Sequence, residues 1–532
     1  MAKDSKPVTE ATNPVRPLKD MSLKPRFLQN YGPDEDFFQH ALEYLSLFQN
    51  TLFYLPEKPF QTAADSGITP PFEPTPVSSF PSATVQSIND SVSAQWPLRR
   101  QLSLTTDEYT QVPLFGHTDL KSLSRAGSAI NVGGAVSSLG WAPGAADGLN
   151  YLAVAVFVHH DGLHRAVTSE ELSIFYTKDP TAPSKFSTYI QLWQVDPDSQ
   201  TPKLIRVLDT SEFGVCVNLS WAPIAVPDTI GVLAGTFGDG KLHMISVGLE
   251  GPLFGQLVHS SVSYKFTNPR NSQEPVPISC YDFVSHDRVI VGTSDGSIAE
   301  YVLPHYSQPG FDGNFDVPSF VYTICDIPVS NVVVGSPAPD QFVVHVGTPG
   351  VKNYAFDYHN FRTNHVDSFV SWVSPRYHPG LKLFLCTESL DTLSYSFARN
   401  PNERPSLVVK TDGVVSSIAS SRHLNHPFVL VGNSFGEVFV VNIARKILTP
   451  GKSGNRLSVP LRLWKLHMKE SWVLDGSLES VAAEPATRLA ISPAEVNVSA
   501  VAWNETMTAS SMYAAGFHSG LVVIERLDPA FV

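Results

Sequence analysis

Short apolar segments alternate with polar turns along most of the chain, and one arrangement of them recurs. Each copy has an apolar run, a turn rich in Gly, Ser and Asp, and a second apolar run. The clearest copies are "GVLAGTFGDGKLHMISV" (231–247), "RVIVGTSDGSIAEYVL" (288–303), "FVLVGNSFGEVFVVNI" (428–443) and "MYAAGFHSGLVVIERL" (512–527). Apolar runs joined by glycine turns predict β-hairpins. Their repetition, at roughly the 40–50-residue period of propeller blades, predicts an all-β fold: a seven-bladed WD40-like β-propeller.

The propeller is expected to span residues 99–532, with insertions at 159–187 and 445–496. The first strands of several blades carry a tryptophan, which is predicted to pack between blades. These residues are Trp141, Trp221, Trp372 and Trp503. The strand-like segment Arg99–Phe115 precedes blade one. We expect it to close the ring as the outer strand of blade seven, because closure removes exposed sheet edges.

The chain before the propeller has a different pattern. It predicts a flexible polar N-terminus (1–32), an amphipathic helix (33–55) and a proline-rich linker or strap (56–98). Asp34 is placed to cap the helix. One helix face is apolar and is interpreted as a candidate partner-binding surface. Its residues are Phe38, Leu42, Leu45, Phe48 and Leu52. The alternative is that this face packs on the chain's own propeller.

Two motif matches suggest enzymes, and the repeat explains both. Residues 235–241 have the G-x-x-x-x-G-K spacing of a phosphate-binding loop, but Leu242 stands where that motif needs Ser or Thr, and a strand-like run follows. "GTSDG" (292–296) and "GNSFG" (432–436) match the nucleophile elbow of α/β-hydrolases, yet both occupy equivalent hairpin turns. The sequence therefore predicts a protein that is not an enzyme, without catalytic residues, cofactor or metal site.

The charge pattern adds one local exception to an acidic chain. The formal net charge is −13, so the surface as a whole repels nucleic acid. Residues 445–469 nevertheless contain basic side chains and no acidic one. The candidate DNA contacts are Arg445, Lys446, Lys452, Arg456, Arg462, Lys465 and Lys469. Such residues on an insertion suit phosphate contacts that do not read sequence. The alternatives are a solvated loop or a loop that docks on an acidic partner.

Two successive predicted blades resemble a known family. "LGWAPGAADGLNYLAVAVFV" with "YIQLWQV", followed by "GVCVNLSWAP" with "GVLAGTFGDGKLHMISV", resemble the WD-repeat subunit of transcription factor IIIC, the general factor that recruits RNA polymerase III. The matching motifs are Trp141–Pro143, Tyr151–Val154, Ile190–Trp193, Trp221–Pro223 and Asp239–Lys241. The resemblance is specific over about residues 133–247, and "LRLWKLHMKESWVLDG" is also similar to an insertion of that family.

The resemblance implies a nuclear, non-enzymatic scaffold subunit. Such a subunit is expected to form a heterodimer with a second propeller subunit, to join the other subunits of factor IIIC and to support binding of B-box promoter DNA mainly through the complex, with no membrane role. Two alternatives stay open. One is another WD-repeat scaffold, such as a chromatin adaptor or a ubiquitin-ligase substrate receptor. The other is a propeller hydrolase with acidic or histidine residues converging on the central channel.

Overall fold

The structure is a computed structural model of the chain. It describes residues 24–48, 74–144, 149–159, 186–196, 199–269, 275–303, 313–338, 341–348, 353–360, 365–421, 426–448, 458–481, 492–506 and 509–527.

Six propeller blades are each built from four strands that follow one another along the chain and pair antiparallel. Blade one contains Ala135–Trp141, Asn150–His159, Phe186–Val195 and Pro202–Asp209. Blade two contains Cys216–Trp221, Thr229–Phe237, Leu242–Gly248 and Val262–Tyr264. Blade three contains Ile278–Ser285, Arg288–Thr293, Ser297–Val302 and Phe320–Thr323. Blade four contains Asn331–Ala338, Gln341–Gly347, Asn353–Asp357 and His365–Ser368. Blade five contains Arg376–His378, Leu383–Ser389, Thr392–Phe397 and Ser406–Lys410. Blade six contains Val415–Ser420, Phe428–Asn433, Glu437–Asn442 and Leu461–Met468. The predicted all-β propeller is therefore confirmed.

A further sheet joins the two ends of the propeller chain, and we call it the closing sheet. Its strands, in spatial order, are Val498–Trp503, Met512–Phe517, Leu521–Arg526, Gly127–Asn131 and His117–Asp119. Three of the blade sheets gain outer strands from elsewhere in the chain. Blade one is extended by Phe254–His259 and Thr84–Ser87, blade two by Asn314–Phe315, and blade six by Trp472–Asp475, Gln101–Thr105 and Tyr109–Pro113. Short pairs link Thr75–Pro76 with Ile224–Ala225, Phe266–Thr267 with Pro275–Val276, and Glu479–Ser480 with blade six.

Glycine closes the recurrent hairpin turns for a steric reason. Gly240, Gly296, Gly436 and Gly520 all have positive φ angles, between 76° and 85°. L-residues with a Cβ rarely adopt such angles, whereas glycine does so at little cost. At Gly296 a Cβ would in addition overlap the carbonyl oxygen of Cys325. Gly350, the remaining glycine of the predicted series, lies outside the described residues.

The segment predicted to close the ring belongs to another sheet. Within Arg99–Phe115, the strand Gln101–Thr105 pairs in parallel with Trp472–Asp475 and so extends blade six. The strand that closes the propeller chain is Gly127–Asn131, which pairs with Leu521–Arg526. The expectation was wrong because the alternation of Leu102 and Leu104 predicts only a strand with one buried face. An outer strand of either sheet has such a face, so the pattern does not say which sheet the strand joins.

The predicted insertion at 445–496 also contains part of the sheet. Leu461–Met468 is the fourth strand of blade six, and Leu463, Trp464 and Leu466 are buried in its core. The sequence hid this strand because its pairing shifts register between Arg462 and Trp464, and this shift interrupts the two-residue alternation of a regular strand. A short helix, Ala444–Leu448, precedes it.

Two helices, α1 (Lys24–Tyr31) and α2 (Glu35–Phe48), pack on blades five and six. Asp34 caps α2, since its Oδ1 accepts a hydrogen bond of 2.9 Å from the Phe37 backbone N–H. Other short helices are Asp90–Ser93 and the 3₁₀ turns Lys121–Leu123, Tyr358–Asn360, Pro379–Leu381 and Ala494–Val496. Among the described residues, no helix is long and apolar enough to cross a bilayer.

Candidate nucleic-acid and partner interface

Arg462 stands in the basic segment but is already matched by carboxylates. It lies on the fourth strand of blade six and is buried. Its Nη2 is 2.8 Å from Glu479 Oε2 and 3.3 Å from Asp475 Oδ2, and its Nη1 is 3.7 Å from Glu437 Oε1. A guanidinium paired in this way stabilises its own sheet, and its positive charge is largely neutralised before a DNA phosphate can approach. The acidic partners lie outside residues 445–469, which is why a count within that segment missed them.

The other predicted DNA contacts differ in how far their charges are paired or buried. Lys465 Nζ is 3.0 Å from Glu437 Oε1, so this lysine is paired as well. Lys446 is partly buried, and burial lowers the pKa of its ammonium group. Arg445 lies in the helix Ala444–Leu448, and Lys469 is exposed beyond the end of the strand. Lys452 and Arg456 lie outside the described residues. Within the described part of the segment, Lys469 is therefore the cation best placed to meet a phosphate.

The apolar face of α2 contacts this chain's own propeller. Leu45 and Phe48 are fully buried, and Phe38 and Leu42 are partly buried against the same core. Asn442 Nδ2 of blade six donates a hydrogen bond of 2.9 Å to the Phe48 carbonyl oxygen. Leu52, the fifth predicted residue, lies outside the described residues. This packing leaves Leu45 and Phe48 no surface to offer a partner.

An exposed apolar patch lies instead at one end of blade five. We define it by Trp372, Leu390 and Val414, whose exposed fractions are 56%, 47% and 43%. The Trp372 backbone N–H donates to Thr387 Oγ1 at 2.9 Å, and the Val415 N–H donates to the Leu390 carbonyl at 2.7 Å, so three loops meet there. Exposed tryptophans surrounded by apolar residues are typical of protein interfaces.

Trp372 corrects one sequence interpretation. The residue was grouped with the tryptophans that pack between blades, and Trp141 and Trp503 are indeed buried. Trp372 lies in a loop before the first strand of blade five and points outward. The sequence carries one signal for this patch, because Leu390 is an apolar residue in the turn between the strands Leu383–Ser389 and Thr392–Phe397.

A cavity of about 170 Å³ lies among the first strands of the six blades and of the closing sheet. Trp141, Trp221 and Trp503 contribute to its wall. Three charged side chains line it, and each has a hydrogen-bond partner. Asp282 Oδ2 accepts from the Val334 N–H at 2.9 Å, Arg376 Nε donates to the Ile418 carbonyl at 3.3 Å, and Glu505 Oε2 accepts from the Ser421 hydroxyl at 3.1 Å. The first two contacts join neighbouring blades.

Blade two contains an arrangement that resembles a catalytic triad. His243 Nε2 is 3.0 Å from Asp239 Oδ2, and His243 Nδ1 is 2.8 Å from Ser260 Oγ. Although burial raises the pKa of Asp239, the hydrogen bond and charge of His243 and the nearby Lys241 lower it overall. The imidazole is buried and stacks on Phe213 at 4.4 Å. These contacts indicate that the group stabilises a turn, and no spacing rule predicts it, because Ser260 lies on a different loop from Asp239.

Blade four has a similar histidine, His345, which also contacts a serine and stacks on a phenylalanine. Its Nδ1 is 3.0 Å from Ser368 Oγ, and its ring stacks on Phe369 at 4.3 Å. Repetition in a second blade favours a packing role over catalysis. In the described part of the chain, no three His, Cys, Asp or Glu side chains lie close enough to share a metal ion. The fold and these surfaces define the class of molecule: a β-propeller with exposed groups suited to binding other macromolecules.

Comparisons with known proteins narrow that class. The chain is 22% identical over 424 residues to the transcription factor tau 91 kDa subunit of Saccharomyces cerevisiae, and 23% identical over 421 residues to transcription factor tau subunit sfc6 of Schizosaccharomyces pombe. Each alignment covers 76% of this chain. The chain spans 58% and 65% of the length of these relatives, less than two thirds. These similarities confirm the resemblance to the propeller subunit of transcription factor IIIC.

No family model matches the chain. Among solved structures, the Raptor protein of Chaetomium thermophilum aligns with 76% of this chain and 29% of its own, with a TM-score of 0.46 and 12% identity.

Proposed function

We propose that this protein is a non-enzymatic scaffold subunit of the RNA polymerase III general transcription factor IIIC and acts in the nucleus. The observation that carries the proposal is the similarity to two transcription factor tau subunits over 76% of the chain.

The test is affinity purification of the tagged full chain from its native source. We expect subunits of an RNA polymerase III factor to co-purify in stoichiometric amounts. Recovery of histones or of a cullin adaptor in their place would overturn the proposal and favour a chromatin adaptor or a ubiquitin-ligase receptor.

The propeller that carries this function is proposed to close with seven blades. The closing sheet supplies the seventh, because its first strand lies between those of blades six and one. Ser416 Oγ of blade six donates to the Val498 carbonyl at 2.7 Å, and Met512 and Val522 share a core cluster with Val136 of blade one. The central cavity has a wall segment from each of these sheets. An experimental structure with six or eight blades would contradict this count.

The chain is proposed to form a heterodimer with a second propeller subunit through the apolar patch of Trp372, Leu390 and Val414. A tryptophan at the centre of such a patch commonly contributes 2 kcal/mol or more to binding, about a thirtyfold change in affinity. Trp372→Ala should therefore release the partner during a salt wash that the unaltered complex survives.

The matched control is Tyr109→Ala, an aromatic of similar exposure on an outer strand of blade six. The control should retain the partner. If Trp372→Ala also retains it fully, the partner docks elsewhere on the propeller.

Promoter DNA of the B-box type is proposed to be bound by the assembled complex, with a small contribution from this chain. The net charge of −13 opposes binding by the isolated protein, and Arg462 and Lys465 are paired with carboxylates. Beside other subunits, an exposed cation such as Lys469 acts at high effective concentration. Tight DNA binding by the isolated chain would contradict this division of roles.

A further inference from the structure

Arg206 is a buried cation with no counter-charge. It is 7% exposed, on the fourth strand of blade one. Its Nε is buried without a hydrogen-bond partner, and no carboxylate lies within ion-pair distance of its guanidinium among the described residues. Burial lowers the pKa of Arg206, and no neighbouring charge offsets that effect. Buried guanidinium groups are costly unless something anionic pairs with them.

The local backbone aims Arg206 in one direction. The pairing of its strand with Phe186–Val195 shifts register between Leu204 and Arg206, which is a β-bulge. A bulge re-aims the side chain that follows it. The guanidinium then lies over the backbone of Gly251, where a Cβ would sit 2.5 Å from Nη2 and 2.8 Å from Cζ. Glycine at this position therefore makes room for the charged group.

The guanidinium faces a cavity of about 580 Å³, which we call the strap pocket. Its outer wall is the chain between Thr75–Pro76, which pairs with Ile224–Ala225 beside blade two, and Thr84–Ser87, which pairs with the outer strand of blade one. This crossing segment bridges two blades and leaves a space beneath it. Cavities of about 300–1,000 Å³ are the usual size of small-ligand sites.

The lining favours a compact oxyanion. Four serines line the pocket together with Arg206: Ser78, Ser79, Ser82 and Ser246. A phosphomonoester has three terminal oxygens that accept hydrogen bonds from hydroxyls and pair side-on with a guanidinium. Asp228 and Glu250 are exposed where the pocket meets solvent. Two carboxylates there repel a polyanion such as a DNA backbone more strongly than a single phosphate, and they favour a phosphate whose carrier is neutral or basic.

We propose that the strap pocket binds a phosphomonoester group, held by Arg206. The group can reach the pocket on a free small molecule, such as a nucleoside monophosphate, or on a phosphorylated serine of a protein segment. The shared chemistry is the same in both cases, and the pocket is separate from the apolar patch and from the basic segment described above.

The first test is titration of the full chain with inorganic phosphate at constant ionic strength. Calorimetry measures the binding, and the thermal unfolding midpoint is measured at each phosphate concentration. We expect saturable binding and a rising midpoint. Arg206→Met should weaken phosphate binding about tenfold or more, as charge-assisted hydrogen bonds are lost. The matched control is Lys203→Met, an exposed cation on the same strand, which should leave binding unchanged.

A second readout separates a ligand-binding arginine from a structural one. Without phosphate, Arg206→Met should unfold at the same temperature as the unaltered protein or higher, because an unpaired buried charge has been removed. If that variant does not fold, Arg206→Lys serves in its place, because it keeps the charge but lacks the planar guanidinium that pairs side-on with a phosphate. Weaker phosphate binding by Arg206→Lys supports the site.

Two further probes identify the carrier: adenosine monophosphate, and a lysine-flanked phosphoserine peptide with its unphosphorylated counterpart. Tighter binding of either than of inorganic phosphate supports the proposal and names the source. Absence of saturable phosphate binding, or equal binding by Arg206→Met, would overturn it. Loss of duplex DNA affinity in Arg206→Met without any phosphate binding would also overturn it and indicate a backbone contact.

Discussion

A buried ion pair between Arg125 and Glu525 stabilises the closing sheet, and replacing Arg125 with methionine should reveal its strength. Arg125 and Glu525 are 4% and 1% exposed. The Arg125 Nε is 2.6 Å from Glu525 Oε1, and its Nη2 is 2.5 Å from Oε2. Arg125 lies two residues before the strand Gly127–Asn131, and Glu525 lies on the partner strand within the closing sheet. The pair therefore joins the N-terminal segment to the end of the chain.

Arg125 also reaches into blade six. Its Nη1 donates to the Leu463 carbonyl at 3.1 Å and to the Gly476 carbonyl at 2.7 Å, and its guanidinium lies 4.3 Å from the ring centre of Trp464. Removing the arginine leaves a buried carboxylate without a counter-charge, a change that usually costs about 3–5 kcal/mol. The Leu463 and Gly476 carbonyl oxygens also lose their donor, which lowers the free energy of unfolding further. We therefore expect Arg125→Met to lower the free energy of unfolding by about 3–5 kcal/mol.

The assay is denaturant unfolding combined with amide hydrogen exchange of Gly127–Asn131. Exchange should speed up in that strand first, since it is the element that the ion pair holds. Adding Glu525→Leu should recover most of the loss, because the stranded charge is then gone. Lys121→Met is the control, since its ion pair with Asp119 is exposed. A cost below about 1 kcal/mol, or fully additive effects in the double variant, would refute the reasoning.

Two further predictions concern the basic segment and pH. Arg462→Met should destabilise the protein by about 1–3 kcal/mol, because charge-assisted hydrogen bonds are lost. It should leave the salt dependence of DNA binding by the complex unchanged. Lys469→Gln should change stability by no more than about 0.5 kcal/mol and should reduce the slope of log K for DNA binding against log salt concentration by up to about 0.9. The reverse pattern in denaturation and salt titrations would contradict this placement. Burial lowers the pKa of His378 to about 4, and its ring donates to the His426 carbonyl while accepting from the Leu381 N–H, as only the neutral form does. Its folded pKa lies below the unfolded value, so the stability it contributes is complete above about pH 6.5 and falls by about 1.4 kcal/mol per pH unit toward pH 4. His378→Asn should flatten that part of a stability–pH curve, and an unchanged slope would exclude this histidine as its source.

The sequence alone determined the local elements of this protein. Turns such as those at Gly240 and Gly296 could be predicted because a positive φ angle restricts the residue type whatever the surroundings. Their spacing identified the propeller, and the W-x-P and D-G-K motifs of the first two blades identified the resemblance that the tau subunits confirm. The cap at Asp34 follows from the same local chemistry.

The tertiary structure decided which residue meets which. The outer strands Gln101–Thr105 and Gly127–Asn131 have no local difference that assigns one to blade six and the other to the closing sheet. Arg462 is matched by carboxylates from neighbouring strands, whereas Arg206 is buried with no carboxylate at ion-pair distance among the described residues. Whether a cation can bind a ligand depends on how far it lies from the carboxylates of the folded chain. The strength of a Coulomb interaction is set by that distance and by burial, and not by spacing along the sequence. For that reason the candidate surfaces of this propeller could be located only once its strands were in place.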